Sequence, residues 1–114
     1  MLIIYGIPNC DTIKKARTWL IENKIEHRFY DYNKEGIGLV KLEDWDSQKG
    51  IENIINKAGA TYKKLSDEEK SSNLVELKTL IIQKPSLIKR PILELDGNII
   101  GLGFKPEWYQ EIFK

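Results

Sequence analysis

The chain has 114 residues, enough for one domain around a single core. Its formal net charge is +1, which gives no support to general nucleic-acid or anionic-membrane binding. A lone cysteine excludes an internal disulfide, nothing points to an oxidising compartment, and no segment approaches the roughly 18 apolar residues of a membrane span. Met1-Leu2-Ile3-Ile4 runs into Gly6-Ile7-Pro8 without the basic start or apolar length of a signal peptide. The expectation is a soluble, cytoplasmic, monomeric protein with no metal site and no bound cofactor.

In chain order, Leu2-Ile3-Ile4-Tyr5 is almost wholly apolar and predicts a strand buried on both faces. Ile13, Ala16, Trp19 and Leu20 are spaced as one face of a helix over about 11–23, with Lys14, Lys15, Arg17 and Glu22 opposite. The aromatic stretch His27-Arg28-Phe29-Tyr30-Asp31-Tyr32 predicts a second strand, parallel to the first. Lys34 to Gly38 reads as a loop, and Leu39, Leu42 and Trp45 mark a helix interrupted at Gly50. A short segment from Ile51 to Lys57 stops at Ala58-Gly59. Ser66-Asp67-Glu68-Glu69 has the form of a capping box, and Leu74, Leu77, Leu80 and Ile81 mark a helix halted before Pro85. The charges of Lys63, Lys64, Glu68, Glu69 and Lys70 read as a solvated face.

Pro91–Leu95 and Asn98–Leu102 flank Asp96-Gly97, the signature of a tight hairpin. Phe104-Lys105-Pro106-Glu107 opens a last helix, with Trp108, Ile112 and Phe113 expected on the sheet. The order β-α-β, helices, β-β-α predicts an α/β thioredoxin-like domain over 1–114. Its sheet is mixed, and a helical insertion over about 34–85 separates the two halves.

The turn Asn9-Cys10-Asp11-Thr12 joins the first strand to the first helix. Unpaired N–H groups at a helix N-terminus favour an anion, so a thiol there ionises more readily than a free cysteine at about 8.5. Position alone leaves two readings open, a nucleophile or a small buried apolar side chain. A thiolate would attack a disulfide or oxidised substrate and form a covalent adduct. The second thiol of a C-x-x-C site is absent, because Ile13 holds its position. Release therefore needs an outside thiol, for which glutathione is the natural co-substrate. Asp11 is expected to cap the helix, leaving the thiol facing the cleft. His27, the lone histidine, falls at the other end of the helix.

Three stretches resemble, in order, the motifs of the arsenate reductase (ArsC)/Spx family, closest to its YffB-like branch. They are Tyr5–Leu20, Pro85–Leu93 and Gly103–Glu107. The resemblance implies a thioredoxin-like fold and either a thiol-based reductase or a redox-linked regulator. It places Arg90 before a proline, Pro91, that such domains hold in cis beside the active cysteine. Arg90 would offer a permanent charge and a donor fork to an anion, unless it is a surface arginine paired with an acid. Lys105 stands where an arsenate reductase has another anion-binding arginine, but is also readable as a solvated helix-start lysine. Asn9 and Thr12, in the same turn as Cys10, complete the candidate anion-binding set.

A third family arginine falls at Ala58, with Lys57 beside it. An oxyanion needs several converging donors, so arsenate reduction is not expected. The predicted activity is thiol–disulfide reduction with glutathione, and with glutaredoxin as a further partner. The rival is an Spx-type regulator that binds RNA polymerase, although Ile13 leaves it without a cysteine pair.

Overall fold

A computed structural model describes residues 1–114. The chain forms two compact units, one of Met1–Glu35 with Arg90–Lys114, the other of Gly36–Lys89. No helix is long and apolar enough to cross a membrane.

The first unit is built on a four-stranded mixed sheet ordered β2-β1-β3-β4, with β1 at Leu2–Gly6, β2 at Arg28–Asp31, β3 at Ile92–Leu95 and β4 at Asn98–Leu102. The first two strands are parallel, and β3 is antiparallel to both β1 and β4. The helices of this unit are α1 (Asp11–Glu22), α2 (Tyr32–Glu35) and α8 (Pro106–Ile112). Strand alternation sends Leu2, Ile4 and Leu93 into a core with Ala16 and Leu20 of α1 and Tyr109 of α8. Aromatic edges close it, with the Tyr109 ring 5.5 Å from Trp19 and 4.7 Å from Phe104, both nearly perpendicular. The same alternation puts Tyr5 and Glu94 on the other face, where the Tyr5 hydroxyl donates to the buried Glu94 carboxylate at 3.1 Å.

The hairpin forms as expected. Asp96 (φ 50°) and Gly97 (φ 87°) both take the left-handed conformation that a tight two-residue turn requires. Helix α1 covers the predicted span, and Lys24 at φ 56° ends it. Two expectations in this unit are corrected. Trp108 is 47% exposed and Tyr109 takes its inward place, because Tyr109 lies on the same helical face as Ile112 and Phe113, three and four residues on, which pack on the core. Tyr32 leaves the second strand and opens α2, and residues 34 and 35 belong to that helix rather than a loop. The cause is Asp31, whose carboxylate accepts from the N–H groups of Asn33 at 3.0 Å and Lys34 at 3.2 Å.

The second unit holds α3 (Leu39–Lys49), α4 (Ile51–Ile54), α5 (Ala60–Lys63), α6 (Asp67–Lys70) and α7 (Leu74–Gln83), then a 3-10 turn at Pro85–Leu87. Leu42, Trp45, Ile51, Ile54, Leu77 and Ile81 are buried. The Ser66–Glu69 capping box is formed in both directions, at 2.9 and 3.1 Å. Lys78 of α7 pairs with Asp46 of α3 at 3.0 Å, and Asp46 also accepts from the Ile51 N–H across Gly50. The segment after Gly50 is helical only to Ile54. Ile55 is extended and bridges Ile88, an arrangement between distant residues that local periodicity does not encode. Helix α5 was not predicted.

Candidate active site

Strand register gathers the site at one edge of the sheet. Gly6 pairs with Asp31 and Tyr5 with Ile92, so the ends of β1 and β2 and the start of β3 lie together. The connections leaving that edge carry Cys10 after β1, Tyr32 after β2, and Arg90-Pro91 before β3. The Arg90–Pro91 peptide bond is cis, as the resemblance implied.

Cys10 itself is the N-cap of α1, at φ −119° and ψ 125°, and its carbonyl accepts the first helical bond from the Lys14 N–H at 3.0 Å. Asp11 is therefore not the cap; it occupies the first turn, and the cysteine stands where an oxygen-bearing cap is usual. The thiol makes no capping bond of ordinary geometry. Burial pushes its pKa up, but the N–H groups of Ile13 and Thr12 and the Arg90 guanidinium favour the anion and outweigh burial. The net result is a thiol held below its ordinary ionisation range.

Arg90 donates to two acceptors, the Tyr32 hydroxyl and the Cys10 sulfur. Its own desolvation opposes the charge, and these two partners more than restore it. Tyr32 is fully buried. Burial, aided by the nearby Cys10 and Asp31, raises its ionisation above the usual phenol range against the opposing pull of Arg90. Tyr32 was missed in the sequence because it reads there as one more strand aromatic. The available signal was Asp31 before it, a residue type that ends strands and caps turns.

The remaining candidates are not all brought together. Thr12 contributes through its backbone, and Asn9 is exposed in the preceding turn. Lys105 is the N-cap of α8, and its ammonium lies 5.2 Å from the centre of the Trp108 ring. Lys57 pairs with Glu52 at 2.8 Å, and Ala58 is exposed. The His27 ring faces the Ile25 carbonyl at 3.0 Å.

A mixed sheet with the β-α-β…β-β-α order, a cysteine at the first helix N-terminus and a cis-proline opposite define a thioredoxin-like protein. More narrowly, the chain belongs to the ArsC family, whose model matches residues 5–112. It is similar to a solved structure of a protein designated YffB, with 40% identity, full coverage of both chains and a TM-score of 0.91. It also resembles an ArsC-related protein from Brucella melitensis at 41% identity, over 99% of this chain and 94% of that one, with a TM-score of 0.81. The global transcriptional regulator Spx of Lactiplantibacillus plantarum is 28% identical, over 94% of this chain and 82% of its own length.

Proposed function

We propose that the protein is a cytoplasmic, glutathione-dependent thiol–disulfide reductase with Cys10 as its nucleophile. The observation that carries this reading is the convergence of the Ile13 and Thr12 N–H groups and the Arg90 guanidinium on the single thiol. In the first step the Cys10 thiolate attacks the glutathione sulfur of a mixed disulfide R–S–S–G. Cys10–S–S–G forms, and R–S⁻ leaves and takes up a proton. In the second step a glutathione thiolate attacks the glutathione sulfur of the adduct, giving glutathione disulfide and restoring the Cys10 thiolate. The electron pair comes from glutathione, since Ile13 leaves no resolving thiol in the chain. A glutaredoxin supplies the same chemistry as an alternative partner. Arg90, with the Asn9–Thr12 turn, offers donors to a glutathione carboxylate.

Exposure to glutathione disulfide should add one glutathione at Cys10, removable by reduced glutathione, and Cys10→Ser should add none. Intact-protein mass spectrometry reads both; a wild-type thiol that forms no adduct overturns the reading. Similarity to Spx over most of the chain supports a second reading, a regulator that binds RNA polymerase. Binding of purified polymerase, in a protein whose Cys10 does not turn over, would select it.

Arsenate should be reduced slowly or not at all. Ala58 removes one expected donor, and Lys57 is engaged with Glu52. Steady turnover of arsenate with glutathione and glutaredoxin would contradict this and bring Lys57 and Lys105 into the site.

A further inference from the structure

Three connections meet at the active edge of the sheet, and the reaction as described uses two of them. The third carries Tyr32, 0% exposed, with its hydroxyl accepting a hydrogen bond from Arg90. We propose that Tyr32 is a positioning residue that keeps the Arg90 guanidinium beside Cys10 in both states of the thiol, free and disulfide-bonded. The proposal rests on the reading of Cys10 as a nucleophile.

Two of the interactions of Arg90 differ in kind. Attraction to Cys10 depends on the sulfur's negative charge, which disappears when the mixed disulfide forms. The bond to Tyr32 does not depend on the state of the thiol. In the adduct the bond to Tyr32 persists and still restrains a long, flexible side chain. That is the state in which Arg90 is needed next. Resolution breaks the S–S bond with the electron pair moving to Cys10, so a cation already in place favours the leaving thiolate.

The chemistry of the anchor fits this task. A carboxylate would hold Arg90 equally well but would form an ion pair and draw its field away from the sulfur. A buried phenol, kept protonated by its surroundings, holds the fork without cancelling the charge. Tyr32 is itself fixed from both sides. Asp31 before it is registered on Gly6 of β1, and the Asp31 carboxylate ties down the Asn33 and Lys34 N–H groups after it.

The test compares wild type, Tyr32→Phe, Arg90→Ala and the double variant. Two rates are followed by mass spectrometry: loading of Cys10 by glutathione disulfide, and unloading by reduced glutathione. Loss of one hydrogen bond to a charged group should slow unloading in Tyr32→Phe roughly tenfold. Loading should slow less, because the free thiolate still attracts Arg90. Arg90→Ala should slow both steps, and adding Tyr32→Phe to it should change neither. Wild-type rates in Tyr32→Phe, with or without a lower melting temperature, overturn the proposal and make Tyr32 a packing residue. So does an undiminished Tyr32→Phe effect in the Arg90→Ala background. A wild-type Cys10 that neither loads nor shows a depressed pKa overturns the reductase reading as well, so the two failures are distinguishable.

Discussion

Arg90→Ala should raise the pKa of Cys10 and slow its reaction with disulfides at neutral pH. The guanidinium acts on the sulfur both as a hydrogen-bond donor and as a charge, and alanine removes both. A rise of one pH unit in the thiol midpoint corresponds to about 1.4 kcal/mol of lost preference for the anion. Arg90→Lys should restore part of the charge effect but not the planar fork, so the pKa should recover more than the binding of an anionic disulfide does. Folding stability should fall as well, by about 1–3 kcal/mol, because alanine removes the hydrogen bond that the buried Tyr32 hydroxyl accepts. Thiolate absorbance against pH, read beside a melting curve, separates these effects. An unchanged midpoint with a lower melting temperature would make Arg90 a structural partner and leave the site to the helix terminus alone.

Gly6→Ala should damage fold and site together. Gly6 ends β1, and a Cβ there would lie 2.2 Å from Cδ1 and 2.8 Å from Cγ1 of Ile13, a residue only 1% exposed. Ile13 is buried, so relief needs a new rotamer of its side chain within the core or a shift of the first turn of α1. Overpacking of this kind costs about 1–3 kcal/mol. For a domain near this size each kcal/mol lowers the melting temperature by about 4–8 °C. The backbone N–H of Ile13 is one of the groups that favour the thiolate, so the Cys10 pKa should rise in the same variant. Ile13→Val, which removes Cδ1, should be better tolerated in the Gly6→Ala background than in the wild type. Wild-type stability and pKa in Gly6→Ala would show that this contact relaxes freely.

Features written in local chemistry were legible in the sequence. Helix α1, the Asp96-Gly97 hairpin and the Ser66–Glu69 capping box depend on neighbours a few residues apart, and each formed as expected. Cys10 was legible for the same reason, since a helix start can be read from the residues around it. Features that depend on distant pairing were not. Ile55 is extended because it bridges Ile88, and the hydrogen bond between Tyr32 and Arg90 likewise joins residues far apart in the chain. Trp108 and Tyr109 are adjacent and both aromatic, and the inward place goes to Tyr109, which shares a helical face with Ile112 and Phe113 three and four residues on. Lys105 was named from its resemblance to an arginine position, but its ammonium lies over Trp108.

The helix N-terminus and Arg90 together lower the pKa of Cys10. Its midpoint is depressed in the native protein, so between that midpoint and the free-thiol value of about 8.5 the folded chain releases a proton that the unfolded chain keeps. Within that window stability gains from Cys10 as pH rises, and the gain is lost as pH falls through the native midpoint. The direct measurement is ultraviolet thiolate absorbance against pH, with Cys10→Ser as the blank. One transition should appear clearly below 8.5 and be absent from Cys10→Ser. A transition at or above 8.5 would leave Cys10 an ordinary cysteine at a helix N-terminus.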